Sequence, residues 1–311
     1  IDGSSGTAVT DPVPDFPPFP PMAFPRGVFV QYAEAIKKAV KVPVMAVGRI
    51  NDPVLANEIL REGKADLIGV ARGILADPEF PRKAEEGRFD EIRPCIACMT
   101  CTHMLFRRFP VECLVNPEAG REREFALSKA ETSKKVVIVG GGPAGLEAAR
   151  VCTLRGHKVV LFEKGTELGG QLKVASVPPH KEEIKNLVKY LANQVRKLQV
   201  DIRLGEEATP QSVLKEDPDA VILANGAKTY IPDVPGIDLD NAVMAWDVLT
   251  GKASNRLGKK IVIVGGGRVG CETADFLAEK GYQVTIAAQS KDIGMQMEQS
   301  EKRYLLQRLK N

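Results

Sequence analysis

The residues KVVIVGGGPAG, at positions 135–145, reappear 125 residues later as KIVIVGGGRVG, at positions 260–270. In each copy, an apolar run typical of a buried strand leads into a glycine-rich turn and then into a helical pattern. The copies stay aligned without a gap as far as Val159 and Val284, inside a second predicted strand. The chain is therefore predicted to contain two α/β units of the same strand–turn–helix–strand kind.

The first copy carries the spacing Gly140-x-Gly142-x-x-Gly145 between its strand and its helix. In this pattern the first glycine permits a tight turn, the second lets a pyrophosphate approach the backbone, and the third lets helix and strand pack closely. Glu163 ends the second strand, where a carboxylate can accept from a ribose hydroxyl. A dinucleotide site is therefore predicted; the alternative is a glycine-rich turn with an exposed glutamate.

The second copy repeats the spacing as Gly265-x-Gly267-x-x-Gly270, but Ala288 stands where the first copy has Glu163. A missing carboxylate removes the usual ribose partner and also removes repulsion against a 2′-phosphate. This change predicts a second nucleotide site with a different preference; the alternative is a vestigial site.

Two dinucleotide folds in one chain imply two nucleotides that exchange electrons, one a flavin and the other a nicotinamide. Gly170 and Gln171 are predicted to bring backbone close to the first nucleotide. Ser290 and Lys291 are predicted to hold a 2′-phosphate at the second, which favours NADP over NAD.

Four of the six cysteines follow the pattern Cys95-x-x-Cys98-x-x-Cys101-x11-Cys113. Four thiolates from one short segment suit either a tetrahedral zinc ion or an iron–sulfur cluster. Structural zinc tends to use two separated Cys-x-x-Cys pairs, so the three successive steps favour a cluster. Cys152 and Cys271 fall on predicted helices and are interpreted as packing residues.

The region before the cysteines predicts alternating elements: a Pro-rich loop over 11–28, a helix over 28–40, a strand over 42–47, a helix over 54–61, a strand over 65–70 and a helix over 78–86. Buried strands with short connections predict a parallel sheet, open or closed as a barrel. Gly48-Arg49 and Ala71-Arg72 follow the two strands, where such folds place ligand loops. These residues could bind an FMN phosphate; alternatively, the arginines are structural ion-pair partners.

Composition narrows the class of protein. With 311 residues the chain is long enough for about two domains, and its net charge of +3 gives no reason to expect nucleic acid or a membrane surface as partner. No transmembrane run or signal peptide is predicted, and clustered rather than spread cysteines favour a reducing compartment, so we expect a cytoplasmic protein. The sequence is expected to be a fragment, since residues 304–311 break off inside a helical pattern.

These motifs together resemble the iron–sulfur flavoproteins related to 2,4-dienoyl-CoA reductase, enoate reductase and trimethylamine dehydrogenase. The resemblance covers nearly the whole chain. The stretches that carry it are VGRINDP at 47–53, ADLI at 65–68, ARGILADP at 71–78, RPCIAC at 93–98, CLVNP at 113–117, VGGGPAGL at 139–146 and GGQ at 169–171.

The resemblance implies a 4Fe–4S cluster, FMN, FAD and NAD(P)H, with electrons passing from NAD(P)H through FAD, cluster and FMN to an activated C=C bond of a small-molecule substrate. It also implies four parts: the C-terminal part of a (β/α)8 barrel over 1–92, a cluster segment over 93–125, an FAD-binding Rossmann-like domain over 126–250, and the start of a nested NAD(P)-binding one over 251–311. The barrel strands that supply the catalytic acid in this family are absent, so no catalytic residue is assigned and the fragment alone is expected to be inactive.

Two alternative functions fit the same pattern. One is an amine dehydrogenase of the trimethylamine dehydrogenase type, in which electrons start at FMN. The other is a non-catalytic electron-transfer subunit similar to the small subunit of glutamate synthase, which the strand and Gly-Arg pattern before Cys95 argues against. A zinc-stapled nucleotide-binding protein is a further reading, and a homo-oligomer is compatible with all of them.

Overall fold

The computed structural model describes residues 19–310, which form two compact units. The first unit contains the residues up to Phe125 together with those from Gln296 onward, and the second runs from Ala126 to Met295. Positions 11–18 of the predicted Pro-rich loop lie outside the described residues, whereas positions 19–28 are bends and turns, as predicted. No helix among residues 19–310 has the length and apolar character needed to cross a membrane.

The first unit alternates helices with two short strands. Its elements are α1 (Val30–Ala39), β1 (Met45–Ala46), α2 (Pro53–Arg61), β2 (Leu67–Ile68), α3 (Ala71–Ala76), α4 (Phe80–Glu85), a 3₁₀ turn (Phe89–Glu91) and α5 (Thr100–Phe106). The strands pair in parallel, as predicted, and Met45 lies opposite Leu67. Both are shorter than predicted, although their hydrogen bonding continues from Asp66 N–H to the Val44 carbonyl.

A small apolar core holds these elements together. It consists of buried residues from α1, α2 and the strand region: Val30, Ala33, Val44, Ala46, Ile50, Ile59 and Ala65. Helix α2 begins where the sequence predicts, because Pro53 suits the first helical position and the Asp52 side chain accepts from the Val54 N–H. Helix α3 was not predicted, since six residues are too few for a helical period to be recognised.

The second unit contains two parallel sheets. Its elements are β3 (Lys135–Val139), α6 (Pro143–Leu154), β4 (Lys158–Glu163), α7 (Leu172–Ala175), α8 (Ile184–Lys197), β5 (Asp201–Leu204), α9 (Pro210–Lys215), β6 (Ala220–Leu223), α10 (Ala245–Leu249), a 3₁₀ turn (Ser254–Arg256), β7 (Lys260–Val264), α11 (Arg268–Glu279) and β8 (Gln283–Ala287). A last helix, α12 (Gln299–Lys310), belongs to the first unit. The strand order is β5-β4-β3-β6 in one sheet and β7-β8 in the other.

The two sheets confirm the internal repeat. Lys135 lies opposite Lys158 in the first, and Lys260 lies opposite Gln283 in the second, which is the same register 125 residues later. The apolar run at 221–224 predicts a buried strand, and this prediction is wrong. Strand β6 is an edge strand, paired on one side only within the described sheet, and its Leu223 is 75% exposed.

Candidate functional site

The first glycine-rich turn has the backbone geometry that a dinucleotide cradle requires. Gly140 has a φ of +111°, and a Cβ there would lie 2.3 Å from the Ala224 carbonyl oxygen. A Cβ on Gly145 would lie 1.8 Å from the Gly140 carbonyl oxygen, so only glycine lets α6 pack this closely. At Gly142, in contrast, a Cβ would meet nothing nearer than Gly170 Cα at 3.9 Å. The turn is therefore open at the position where a pyrophosphate would approach.

The carboxylate of Glu163 is fixed beside this turn. One of its oxygens accepts from the Gly141 N–H at 2.7 Å, and the other accepts from the Gly165 N–H at 2.7 Å. It stands at the carboxyl end of β4, which adjoins β3. The remaining lone pairs of the two oxygens suit hydroxyl donors such as those of a ribose.

Gly170 lies beside the same turn, whereas the side chain of Gln171 contacts the loop after β6. A Cβ built on Gly170 would lie 2.9 Å from Gly142 Cα, so this backbone borders the cradle. The side chain of Gln171 donates to the Ala227 carbonyl oxygen at 2.9 Å. Gln171 thereby ties the segment after β4 to the loop that follows β6.

The second turn reproduces the first. Gly265 has a φ of +112°, and a Cβ on Gly270 would lie 1.9 Å from the Gly265 carbonyl oxygen. A Cβ on Gly267 would meet no atom within 4 Å, so this turn is also open. The chemistry of both turns, free N–H groups at a helix start beside an open backbone, fits a bound pyrophosphate.

The segment after β8 differs from the segment after β4. Ala288 follows the strand directly and offers no acceptor side chain, and Ser290 and Lys291 are exposed a little further along. The Ser290 hydroxyl donates to the Asp292 carbonyl oxygen at 2.6 Å. Lys291 is the cation of this segment, and its ammonium group has three N–H donors that suit a phosphate.

The four clustered cysteines line one small cavity in the first unit. Cys95 and Cys98 precede α5, Cys101 lies in its first turn, and Cys113 follows it. The chain turns back on itself between them, and both Ala97 and Met99 adopt positive φ angles of 48° and 64°. Residues of this kind rarely adopt this conformation, so it is imposed by the packing of the loop.

The structure does not separate the two candidate metal centres. Among the described residues, no group of three or more Cys, His, Asp or Glu side chains is placed to hold a metal ion. Four cysteine thiolates suit both a zinc ion and an iron–sulfur cluster. The preference for a cluster therefore stays a prediction from the cysteine spacing.

Burial sets the protonation of these thiols. It raises the pKa values of Cys95 and Cys101, and it raises the pKa of Cys113 to about 11 despite hydrogen bonds from the Val115 and Asn116 N–H groups. The charge of Arg72 opposes the rise at Cys95 and Cys101. Partly buried thiols of this kind become thiolates when a bound metal compensates their charge.

A cavity of about 860 Å³ adjoins the cysteine cavity within the same unit. It lies where β1 and β2 end, and its lining includes the predicted residues Gly48, Arg49, Ala71 and Arg72. Gly48 has a φ of +102°, and a Cβ there would lie 2.4 Å from the Phe29 ring. The volume lies within the range of cofactor pockets, and the arginines give the cavity a positive wall.

Both predicted phosphate arginines contact backbone carbonyls in this structure. Arg49 is buried and donates to the carbonyl oxygens of Pro21 at 3.1 Å and Met22 at 3.0 Å, and also to that of Phe24. Arg72 donates to the Pro20 carbonyl oxygen at 3.0 Å. The arginines therefore hold the segment before α1, and their contact with a phosphate stays a prediction.

The sequence analysis did not recognise two residues that attach the cysteine segment. The Asn51 amide donates to the Cys95 carbonyl oxygen, and its own oxygen is buried without a hydrogen-bond partner among residues 19–310. The buried carboxylate of Asp77 accepts from the Arg93 N–H at 2.8 Å and from Lys83 Nζ at 2.7 Å. Asn51 stands in the stretch VGRINDP, and nothing local in that stretch indicates its contact with Cys95.

Comparison with known proteins matches two families to two different parts of the chain. Residues 134–311 match the model of the pyridine nucleotide-disulphide oxidoreductase family, and residues 21–91 match the NADH:flavin oxidoreductase / NADH oxidase family. An NADH oxidase of Thermoanaerobacter brockii is 45% identical over 283 residues, which cover 89% of this chain and 44% of the relative. A cinnamate reductase of Clostridium sporogenes is 42% identical over 275 residues, which cover 88% of this chain and 41% of the relative.

Among solved structures, a complex of 2-naphthoyl-CoA reductase with 2-naphthoyl-CoA superposes with a TM-score of 0.89 at 33% identity. The match covers 93% of this chain and 45% of that one, and the chain spans less than half the length of the two curated relatives above. The expected family and its α/β architecture are confirmed. The chain belongs to the pyridine nucleotide-disulphide oxidoreductase family and carries, ahead of that part, a segment of the NADH:flavin oxidoreductase / NADH oxidase family.

Proposed function

We propose that this chain supplies the electron-transferring part of an NAD(P)H-dependent flavoenzyme that reduces activated C=C bonds, with a 4Fe–4S cluster on the four clustered cysteines. One observation carries the proposal: all four thiols line one cavity, and that cavity shares a wall with the larger, arginine-lined cavity. Arg72, Cys95 and Cys101 line both. A shared wall supports short-range electron passage between the occupants of the two cavities.

The residues around the cysteines have definable tasks in this proposal. Cys95, Cys98, Cys101 and Cys113 would ligate the cluster, while the Asn51 amide holds the Cys95 backbone. When bound, the cluster and the flavins carry electrons between NAD(P)H and the substrate, chemistry that no side chain can supply. The four thiols are half-buried, which limits the access of water to the ligands.

The charged side chain beside each glycine-rich turn indicates which nucleotide that turn would hold. The first turn, with Glu163 on a ribose, would hold FAD, and the second, with Lys291 near a 2′-phosphate, would hold NADPH in preference to NADH. Arg49 or Arg72 would pair with the phosphate of FMN at the larger cavity. These assignments follow from where each carboxylate and each cation stands.

The substrate class is inferred from the relatives. Cinnamate reductase and 2-naphthoyl-CoA reductase are both named for substrates in which a carbonyl group is conjugated to the bond system that is reduced. We therefore propose a small enoate or enoyl-CoA as substrate and, because thiolate ligands need reducing conditions, a cytoplasmic location.

The test uses the protein as it is encoded, purified without oxygen. We expect about four irons and four sulfides per chain, and NADPH oxidation that depends on cinnamate or an enoyl-CoA. Oxidation of amines without reduction of C=C bonds would instead assign an amine dehydrogenase. NADPH oxidation with dyes alone would assign an electron-transfer subunit, and zinc without iron would exclude the proposal.

A pair of serine variants provides the control. Cys113→Ser removes a proposed ligand, and we expect it to lose most of the iron and the coupled activity. Cys152→Ser changes a half-buried thiol on α6, in the second unit, and should leave both unchanged. Equal iron content in the two variants would contradict the assignment of the ligands.

A further inference from the structure

Arg72 lies in the first turn of α3, and its side chain lines both cavities of the first unit. Its Nη1 lies 3.2 Å from the sulfur of Met99, and its Nη2 donates to the Pro20 carbonyl oxygen at 3.0 Å. Both partners are uncharged. Within residues 19–310 no carboxylate forms an ion pair with Arg72, so its positive charge is not neutralised beside the cysteine cavity.

Arg72 lies beside the proposed cluster ligands. It lines the small cavity together with Cys95, Cys98, Cys101 and Cys113, and it lines the larger cavity together with Cys95 and Cys101. A cation at the wall of a poorly solvated cavity stabilises negative charge inside that cavity. The guanidinium of Arg72 is therefore placed to stabilise negative charge on a centre held by these sulfurs.

Arg49 is less suited to the same task. Its guanidinium donates to the carbonyl oxygens of Pro21, Met22 and Phe24. It also does not line the cysteine cavity, whereas Arg72 does. Of the two arginines, Arg72 is the one placed to interact electrostatically with a cluster in the cysteine cavity.

We propose that Arg72 sets the reduction potential of the cluster, by favouring the state in which the cluster carries one more electron. The inference rests on the proposed function, because it requires a cluster on the four cysteines. Gain of one electron makes the centre more negative by one unit, and no bond of the chain forms or breaks. A cation on the wall of the same poorly solvated cavity stabilises that state, so the potential rises.

The task differs from the predicted contact of Arg72 with an FMN phosphate. A phosphate contact would be made in the larger cavity and would appear as flavin affinity. Control of the potential is exerted in the cysteine cavity and would appear in the cluster itself. One side chain can do both, because it borders both cavities.

The experiment is a redox titration of the cluster, followed by electron paramagnetic resonance, on the anaerobic protein as encoded. Arg72→Gln removes the charge, Arg72→Lys keeps it, and Arg82→Gln is the matched control. Arg82 is an exposed residue of α4 that pairs with Glu79 and lines neither cavity. Flavin and iron contents are measured in each preparation.

We expect Arg72→Gln to lower the ratio of reduced to oxidised cluster at a fixed potential about tenfold. Arg72→Lys should recover most of that ratio, and Arg82→Gln should match the unmodified protein. An unchanged ratio in an iron-loaded Arg72→Gln protein would overturn the proposal. If Arg72→Gln holds no iron, Arg72→Met is measured in its place. Loss of iron from both neutral variants would also overturn the proposal, because Arg72 would then hold the cysteine segment in place rather than set the potential of the cluster.

Failure of the proposed function gives a different result. In that case the unmodified protein itself would lack about four irons and would show no cluster signal on reduction. The Arg72 inference fails only when the unmodified protein shows the signal and the charge-removing variants behave as described above. The two failures are therefore separable in one set of measurements.

Discussion

The two glycine-rich turns of the second unit have nearly the same backbone. The first glycine has a φ of +111° in one and +112° in the other, and a Cβ on the third would lie 1.8 Å or 1.9 Å from a carbonyl oxygen. A further backbone contact is also repeated, since Gly169 donates to the Gly141 carbonyl at 2.8 Å and Gly294 donates to the Gly266 carbonyl at 2.7 Å. The shared part of the two sites is therefore built from backbone alone.

The difference lies in one side chain. Glu163 presents a carboxylate fixed by the Gly141 N–H, whereas Ala288 presents none. The Cβ atoms of these residues occupy equivalent places, 3.0 Å and 2.9 Å from an ideal Cβ built on Gly141 and Gly266. We therefore expect the glycines to build a cradle that suits either nucleotide, and the residue at the end of the second strand to select between the nucleotides.

The largest expected effect separates the folding role of the glycines from their binding role. Gly145→Ala places a Cβ 1.8 Å from a backbone oxygen, so helix α6 must move away from β3. Overpacking of this severity costs roughly 3 kcal/mol of unfolding free energy. The melting temperature and the FAD content should therefore both fall. An unchanged melting temperature would contradict the packing argument.

Gly142→Ala is the matched variant for that measurement. Its Cβ meets only Gly170 Cα at 3.9 Å, and its φ of −78° suits alanine. The melting temperature of the FAD-free protein should stay near that of the unmodified protein, whereas FAD binding should weaken, because the methyl group occupies the space of the pyrophosphate.

The next effect tests the selecting side chain. Ala288→Glu should place a carboxylate beside the Gly266 N–H, as Glu163 lies beside the Gly141 N–H. Repulsion against a 2′-phosphate should then lower the NADPH-to-NADH ratio of kcat/KM by at least about tenfold. Ala288→Gln introduces a side chain of the same size without the charge, so it should change kcat/KM for NADPH and for NADH by the same factor. A ratio that Ala288→Glu leaves unmoved would show that selection resides elsewhere.

How far the sequence determines these features depends on the distance between the residues involved. The cradle could be predicted, because three glycines within six positions define it and their conformations are local. The bond from Asn51 to the Cys95 carbonyl joins residues 44 positions apart, and no local pattern indicates it. The exposure of β6 was mispredicted for a related reason, since an apolar run does not reveal whether a strand lies at the edge of its sheet.

The arginines illustrate the same limit at the site. Their positions after β1 and β2 could be predicted from the strand pattern, but their partners could not. Arg72 approaches Met99 and Pro20, residues 27 and 52 positions away, because the loop before α1 and the cysteine loop both fold over the ends of the strands. Sequence places a charge at the end of a strand, and tertiary packing decides which cavities that charge reaches.

The smallest expected effect concerns the cation after β8. Lys291→Ala should weaken NADPH binding about fivefold and leave NADH binding unchanged, because an exposed ion pair contributes at most about 1 kcal/mol. Ser290→Ala should weaken it less, since that hydroxyl already donates to the Asp292 carbonyl. Lys259→Ala is the control, as it removes the same charge just before β7, at the opposite end of the strands. If the Lys291 and Lys259 variants lose equal affinity for NADPH, Lys291 acts only through the net charge of the protein. The selectivity of the second turn would then depend on the missing carboxylate alone.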